Sequence, residues 1–379
     1  MTPTAARRRE SRRAMGLVLA CLLLLLVGVL TAERVEVFTD LAAFATPEGD
    51  QYLVYRHRTF DPFEEDGFAF QYREAHGEWE RADRLSGSYM SAGLSGGELV
   101  VCHGSGTSFY DGLRRASFRE LPVDWEVRAL RMEGEKVRFF GGDEKELRSA
   151  VLADSRLVEH ENKAELEAEP GRVRVVLSSE GILVFWNRRP REDDHEAAIW
   201  CARAGEEGLA DPRRADAPCG VEMFDVVERD GEIWLYLYER DASGEHVLYQ
   251  ARWADGELAD ASEVPYESRE PFGNRVLGFA AVSSPSGEVR LYLATLASIR
   301  VLATADPRNG EWREEEPIAG LSSLGRWEII LWLVGLATVS ILLLWSGVSM
   351  IRGRLSSAPR VRSPFEGESA PRSHGRDDA

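Results

Sequence analysis

Lysine is almost missing from this 379-residue chain. Of 46 basic residues, only Lys136, Lys145 and Lys163 are lysines. We read that as the arginine bias of a GC-rich, bacterial genome rather than as a functional signal. A basic excess is missing too: 64 acidic residues leave a formal net charge of −18. That argues against a nucleic-acid partner, because binding a phosphate backbone requires a basic surface. Cysteine is scarce, with four residues, and Cys201 and Cys219 form the one pair well placed for a disulfide in an oxidising compartment. The seventeen residues between them include Pro212 and Pro218. A bridge restraining that long hairpin is expected to contribute roughly 3 kcal/mol on chain-entropy grounds.

What charge there is lies unevenly. Residues 1–32 carry five Arg and one Glu, and residues 352–379 carry six Arg and four acids, leaving 35 basic against 59 acidic residues between them. An acidic central domain, about −24, therefore sits between two basic tails.

Two apolar runs frame that domain. Residues 14–32 contain no charge and follow the basic residues 1–13, which read as a cytoplasmic N-terminus. The run reads as a signal peptide or an uncleaved anchor, with just enough residues to cross about 30 Å of hydrocarbon. Leu30 is a poor residue three positions before a cut after Ala32, which favours the anchor. Residues 328–351 read as a transmembrane helix, with Trp332 and Trp345 as an interfacial belt and Arg352, Arg354, Arg360 and Arg362 directly after it. Arginines outside both spans predict cytoplasmic tails. That puts residues 33–325 on the far side of a bacterial inner membrane. Residues 352–379, rich in Ser, Pro, Gly and charge, predict a disordered cytoplasmic tail.

The central domain repeats itself. Val221–Val264 is the clearest unit: an apolar strand, Asp230-Gly231, the doubly apolar run Ile233–Tyr238, a third strand ending at Trp253, then Asp255-Gly256 and a polar fourth strand. Asp-Gly between apolar runs predicts tight hairpins. A strand apolar at every position predicts cover on both faces. The same middle-strand pattern recurs at Tyr52–Tyr55, Leu99–Cys102, Val137–Phe140, Ile182–Trp186 and Val289–Leu293. Five of the six runs follow a Gly (Gly97, Gly134, Gly181, Gly231 and Gly287), and their starts are 38 to 56 residues apart. Short antiparallel strands at such a period predict an all-β, six-bladed β-propeller. Val35–Phe38 is expected to supply an outer strand to the last blade, and Glu159–Glu169 reads as a charged surface excursion.

After the third strand come His76-Gly77-Glu78-Trp79 and Asn309-Gly310-Glu311-Trp312. Over residues 50–318 this pattern resembles the Asp-box hairpins of the sialidase-like propeller superfamily. Thr304-Ala305-Asp306 echoes the box with two extra residues before its Gly, whereas the first copy lacks the Asp. The resemblance implies a six-bladed fold more than an activity. It would imply three Arg, a Tyr–Glu pair and an Asp acid if the chain were a sialidase, and Tyr55-Arg56-His57 only echoes the first of these.

Other candidate chemistry reads as structural. Cys102-His103-Gly104-Ser105-Gly106 cannot supply a Cys–His dyad, because strand neighbours point to opposite faces. Asp193-Asp194-His195-Glu196 reads as a solvated hairpin tip, so no metal and no cofactor are expected. The sequence thus predicts a membrane-anchored extracytoplasmic binding or scaffold module, with an envelope protein or a glycan at its funnel face. The alternative is a membrane-bound glycosidase of sialidase type, and a sensor ranks third.

Overall fold

The computed structural model describes residues 36–318, except 60–66, 83–84, 87–88, 96, 104–105, 121–124, 134–135, 154–155, 168, 189–197, 241–245, 267–275 and 296–298; beyond them it describes only residues 334, 335 and 338. Nearly all of the apolar runs 14–32 and 328–351, and the whole 352–379 tail, therefore lie outside the described residues. Among the described residues no helix is long and apolar enough to cross a membrane.

Six antiparallel sheets follow one another along the chain. Blade 1 comprises β1 (Glu36–Ala45), β2 (Gln51–Thr59), β3 (Gly67–Arg73) and an outer strand in two pieces, β4 (Glu80–Arg81) and β5 (Leu85–Ser86). Blade 2 comprises β6 (Tyr89–Ser95), β7 (Glu98–His103), β8 (Gly106–Asp111) and β9 (Arg114–Glu120). Blade 3 holds β10 (Glu126–Glu133), β11 (Lys136–Gly142), β12 (Glu146–Ala153), β13 (Arg156–Glu159) and β14 (Ala164–Glu165). Blade 4 holds β15 (Pro170–Ser178), β16 (Gly181–Arg188), β17 (Ala198–Gly205) and β18 (Gly208–Asp216). Blade 5 holds β19 (Met223–Arg229), β20 (Glu232–Arg240), β21 (His246–Ala254) and β22 (Glu257–Glu263). Blade 6 holds β23 (Gly278–Ser283), β24 (Val289–Ala294), β25 (Ile299–Thr304) and β26 (Arg313–Ile318). The fold is an all-β, six-bladed propeller, and each predicted apolar run is the second strand of one blade.

The reason those second strands are apolar at every position is visible in β20. Trp234, Tyr236 and Tyr238 join the core shared with blade 6, while Ile233, Leu235 and Leu237 join the core shared with blade 4. One such apolar layer lies at each of the six blade boundaries. Both predicted Asp-Gly turns form as type I′ hairpins: Asp230 and Gly231 have φ of 52° and 80°, and Asp255 and Gly256 have 54° and 94°. Positive φ at both central residues matches the right-handed twist of the flanking strands.

The tryptophans after the outer turns reach the neighbouring blade. Trp79 meets Tyr292 edge-on at 6.2 Å, and Trp312 meets Tyr236 at 5.9 Å. Each therefore locks its own outer hairpin onto the second strand of the preceding blade around the ring. T-shaped pairs of this kind add about 0.5–1.5 kcal/mol beyond burial.

Two expectations need correction. Glu36–Ala45 is not an outer strand of the last blade but the innermost strand of the first, antiparallel to β2. Every blade runs from inside to outside, so the first one needs its own inner strand. The ring instead closes by packing: Leu41, Leu53 and Tyr55 share a core with Tyr292, Ile299 and Ile318, and the Tyr292 hydroxyl donates to Gln51 Oε1 at 2.9 Å. The charged segment 159–169 is likewise less of an excursion than expected. Two short pieces, β13 and β14, both pair with β12, so the fourth strand of blade 3 is split rather than absent. Between them Asn162 bridges to blade 4, donating to Glu207 O and accepting from the Leu209 amide.

Candidate functional site: the central channel

Inner strands of all six blades surround a channel of about 760 Å³. Each inner strand pairs with its sheet along one edge only, so the other edge presents unpaired amides and carbonyls to the channel. Buried backbone groups need partners. Arginine, with five donors on a long stem, can supply several at once.

Three arginines do this here. Arg172 and Arg174 alternate with Val173 on β15, which sends both guanidinium groups to the channel side and Val173 to the core between blades 3 and 4. Arg172 donates to the Phe279 carbonyl of blade 6 at 2.7 Å and to that of Phe224 in blade 5 at 3.5 Å. Arg174 donates to Asp225 at 2.9 Å, to Val173 O at 3.1 Å and to Leu41 O of blade 1 at 3.3 Å. Arg128 donates to the carbonyls of Pro170 and Gly171 at 2.6 and 3.2 Å, and to Glu126 and Glu169 at 2.8 and 3.1 Å.

Asp225 is the acceptor at the centre of this network. Its Oδ1 accepts from Arg174 and the Val226 amide, and its Oδ2 accepts from the Ala281 amide at 2.8 Å. Three donors around one buried carboxylate are charge-assisted bonds that fix its orientation. Asn187 acts similarly between blades 4 and 5, accepting from the Arg172 amide at 2.7 Å and donating to Val221 O at 3.0 Å.

The remaining lining is mixed. Ala42, Ala43, Ser91, Gly93 and Ser283 keep the bore open with small side chains, and Arg56 and Arg131 face the channel beside Asp40, Glu126 and Glu228. Burial lowers the pKa of Arg131, with Glu133 acting in the opposite sense. No tyrosine lies among the described lining residues.

The residues singled out from sequence fall mostly elsewhere. Arg56 does reach the channel, 3.9 Å from Asp40, but Tyr55 packs in the seam between blades 1 and 6. Cys102 and His103 point to opposite faces as expected. Cys102 lies in the core between blades 2 and 3, its thiol pushed up to about 12 by burial, while His103 contacts Phe68 and hydrogen-bonds Ser108 at 2.8 Å. Burial, and secondarily Arg115, lowers the His103 pKa. The bridge expected between Cys201 and Cys219 is not formed. Both are free, buried thiols in the core between blades 4 and 5. Asp193–Glu196 lies outside the described residues, and among those described no group of His, Cys, Asp and Glu could hold a metal. Gly93-Leu94-Ser95-Gly96-Gly97 has the spacing of a nucleophile elbow, but Ser95 ends an inner strand that leads into another strand. The elbow needs a strand-to-helix turn.

Sequence reading missed Arg128, Arg172, Arg174 and Asp225. One signal was available: Asp225 interrupts the apolar strand Met223–Val227, and a carboxylate there must have buried partners.

No family model matches the chain, and no curated protein matches it. Solved structures do align at low identity. A luciferin-regenerating enzyme aligns at 12% identity over 69% of this chain and 84% of its own, with a TM-score of 0.43. The N-terminal domain of Nup159 aligns at 10% identity over 69% and 88%, with 0.39. A protein of unknown function from Dyadobacter fermentans aligns at 8% identity over 69% and 92%, with 0.48. The six blades are given by the chain's own sheet order.

Proposed function

We propose that the chain is a non-catalytic binding or scaffold module, tethered to a membrane and offering its channel mouth to an envelope protein or a glycan. One observation carries this reading. Arg128, Arg172 and Arg174 are committed to main-chain carbonyls and carboxylates, which makes them braces of the ring. No Tyr stands beside them among the described lining residues to form the Tyr–Glu pair that a sialidase-like site requires. A rigid, charge-mixed, small-residue bore suits recognition better than bond cleavage, which requires carboxyl groups at a defined separation.

The tether rests on residues 14–32 and 328–351 and on the arginines outside them. In a bacterial envelope this arrangement puts residues 33–325 beyond the inner membrane and the 352–379 tail in the cytoplasm. A second reading, a membrane-bound glycosidase of sialidase type, draws on the crowding of Arg128, Arg172 and Arg174 along one wall.

Two measurements on the full chain separate the readings. A photo-crosslinker at Ala43 or Ser283 should capture a partner or an arrayed glycan that the same group at Glu257 on the outer rim does not. Fluorogenic sialosides should be left intact. Turnover that disappears in Arg172→Gln while the chain stays folded would establish the glycosidase instead.

A further inference from the structure

The outer edge of blade 2 differs from the other rims in backbone and in charge. Propeller edges expose unpaired amides and carbonyls, and natural proteins blunt such edges with breaks, prolines and irregular backbone. Blades 1 and 3 have outer strands split into two short pieces. In β18, Asp211 has a φ of 52° and Pro212 follows; in β22, Asp260 has a φ of 54°; β26 contains Pro317. Strand β9 shares the bulge found in these outer strands, but it has neither a proline nor a positive-φ residue, and all seven of its residues are exposed.

Its charge is also reversed. In a domain of about −24, β9 reads Arg-Arg-Ala-Ser-Phe-Arg-Glu. On the outer hairpins of other blades several arginines find acids: Arg203 with Glu180 at 2.6 Å, Arg252 with Asp260 at 2.8 Å, and Arg313 with Glu288. Arg114, Arg115 and Arg119 have no ion-pair partner among the described residues. Arg115 and Arg119 instead lie over the rings of Phe118 and Phe109 at 5.1 and 5.0 Å. Phe118 is itself 41% exposed, which leaves an apolar surface between the cations.

We propose that the β9 edge takes up an extended, acidic segment of a protein partner as an added fifth strand. Main-chain bonds along Ser117–Glu120, beyond the bulge, supply the register, the three guanidinium groups supply the preference for carboxylates, and Phe118 receives an apolar side chain. The same charges repel the β9 edge of a second copy, so one device excludes self-pairing and selects the partner. An anionic membrane surface would use the charges but not the strand edge.

The test uses the full-length chain and a fluorescein-labelled peptide of alternating Glu and Val, read by anisotropy. Binding should appear, weaken with salt, and fall about tenfold or more in the triple variant Arg114→Glu, Arg115→Glu, Arg119→Glu. The milder Arg→Gln triple should lose less, with both variants keeping the parent's thermal midpoint. Peptides N-methylated on one or the other alternate set of residues separate strand addition from charge attraction alone: methylation of one set should remove binding. The proposal is overturned if both methylated peptides bind like the parent, if a Lys–Val peptide binds as well, or if the charge-reversed chain keeps its affinity. Association with phosphatidylglycerol vesicles in the absence of peptide binding would also overturn it, in favour of a lipid surface.

Discussion

Arg174 and Asp225 meet at 2.9 Å across the boundary between blades 4 and 5, and through them four inner strands are joined. Arg174 continues to Leu41 O in blade 1 and Asp225 to the Ala281 amide in blade 6. The pair is mostly buried, with Asp225 more so than its partner. Its role is to satisfy main-chain groups that the sheet edges leave open, so its loss should register in stability before any binding property.

Asp225→Ala is therefore expected to be the most damaging single change in the channel, at about 3–5 kcal/mol, because it strands a guanidinium and two amides. Replacing both members, Asp225→Ala with Arg174→Met, should recover part of that loss by removing the uncompensated charge. Thermal midpoints of the two variants measure the difference. A double variant no more stable than Asp225→Ala would assign the cost to the orphaned Val226 and Ala281 amides alone.

The seam between first and last blades makes a separate forecast. Tyr292→Phe removes the donor to the buried Gln51 and should cost about 1–3 kcal/mol, since the amide oxygen is left unpaired. Tyr292→Phe with Gln51→Leu should cost less than the single change. Denaturation midpoints decide it, and equal losses in both variants would mean that an unpaired Gln51 amide oxygen is not the source of the cost.

Much of the fold was legible because blade interiors are covered on both faces. Runs such as Ile233–Tyr238 and Ile182–Trp186 show no alternation, and in a soluble antiparallel sheet that pattern requires neighbours on each side. The type I′ turns were legible for an equally local reason, since Asp-Gly tolerates positive φ. Apart from Met223–Arg229, the inner strands were not. Leu41–Ala45 and Ser91–Ser95 are built of small and mixed residues because one face meets a core and one edge meets the channel, so they carry no period to read. The channel network was illegible for the same reason: Arg172 and Arg174 are two of 43 arginines until the ring closes and brings the Phe279 and Leu41 carbonyls within reach. Cys201 and Cys219 were expected to bridge from spacing and prolines alone, but the apolar layer between blades 4 and 5 encloses them as thiols.

Two glycines compare an open hairpin turn with one that abuts the neighbouring blade. Gly231 has a φ of 80° with open space around its Cα, so Gly231→Ala should cost about 1 kcal/mol of backbone strain. Gly208 has a φ of 124°, and a Cβ there would lie 2.2 Å from the Asn162 carbonyl oxygen. Gly208→Ala must therefore also displace the segment that bridges blades 3 and 4, and should cost at least twice as much. Comparable losses would show that the Asn162 bridge gives way without penalty.

The three buried thiols predict a pH dependence. Burial raises Cys102, Cys201 and Cys219 from 9.0 to about 12. Between those values the unfolded chain releases thiol protons that the folded chain keeps, so the unfolded state binds fewer protons and stability falls as pH rises. The contribution is fully present below about pH 9 and lost as pH rises towards 12. Thermal midpoints should thus drop across this window, and the drop should shrink in a chain carrying Cys102→Ala, Cys201→Ala and Cys219→Ala. In the native chain at pH 8 the three thiols should resist a disulfide-exchange reagent, whereas all three should react in urea without prior reduction. If Cys201 and Cys219 stay unreactive in urea until a reductant is added, the two are bridged in the isolated protein and the thiol assignment is wrong.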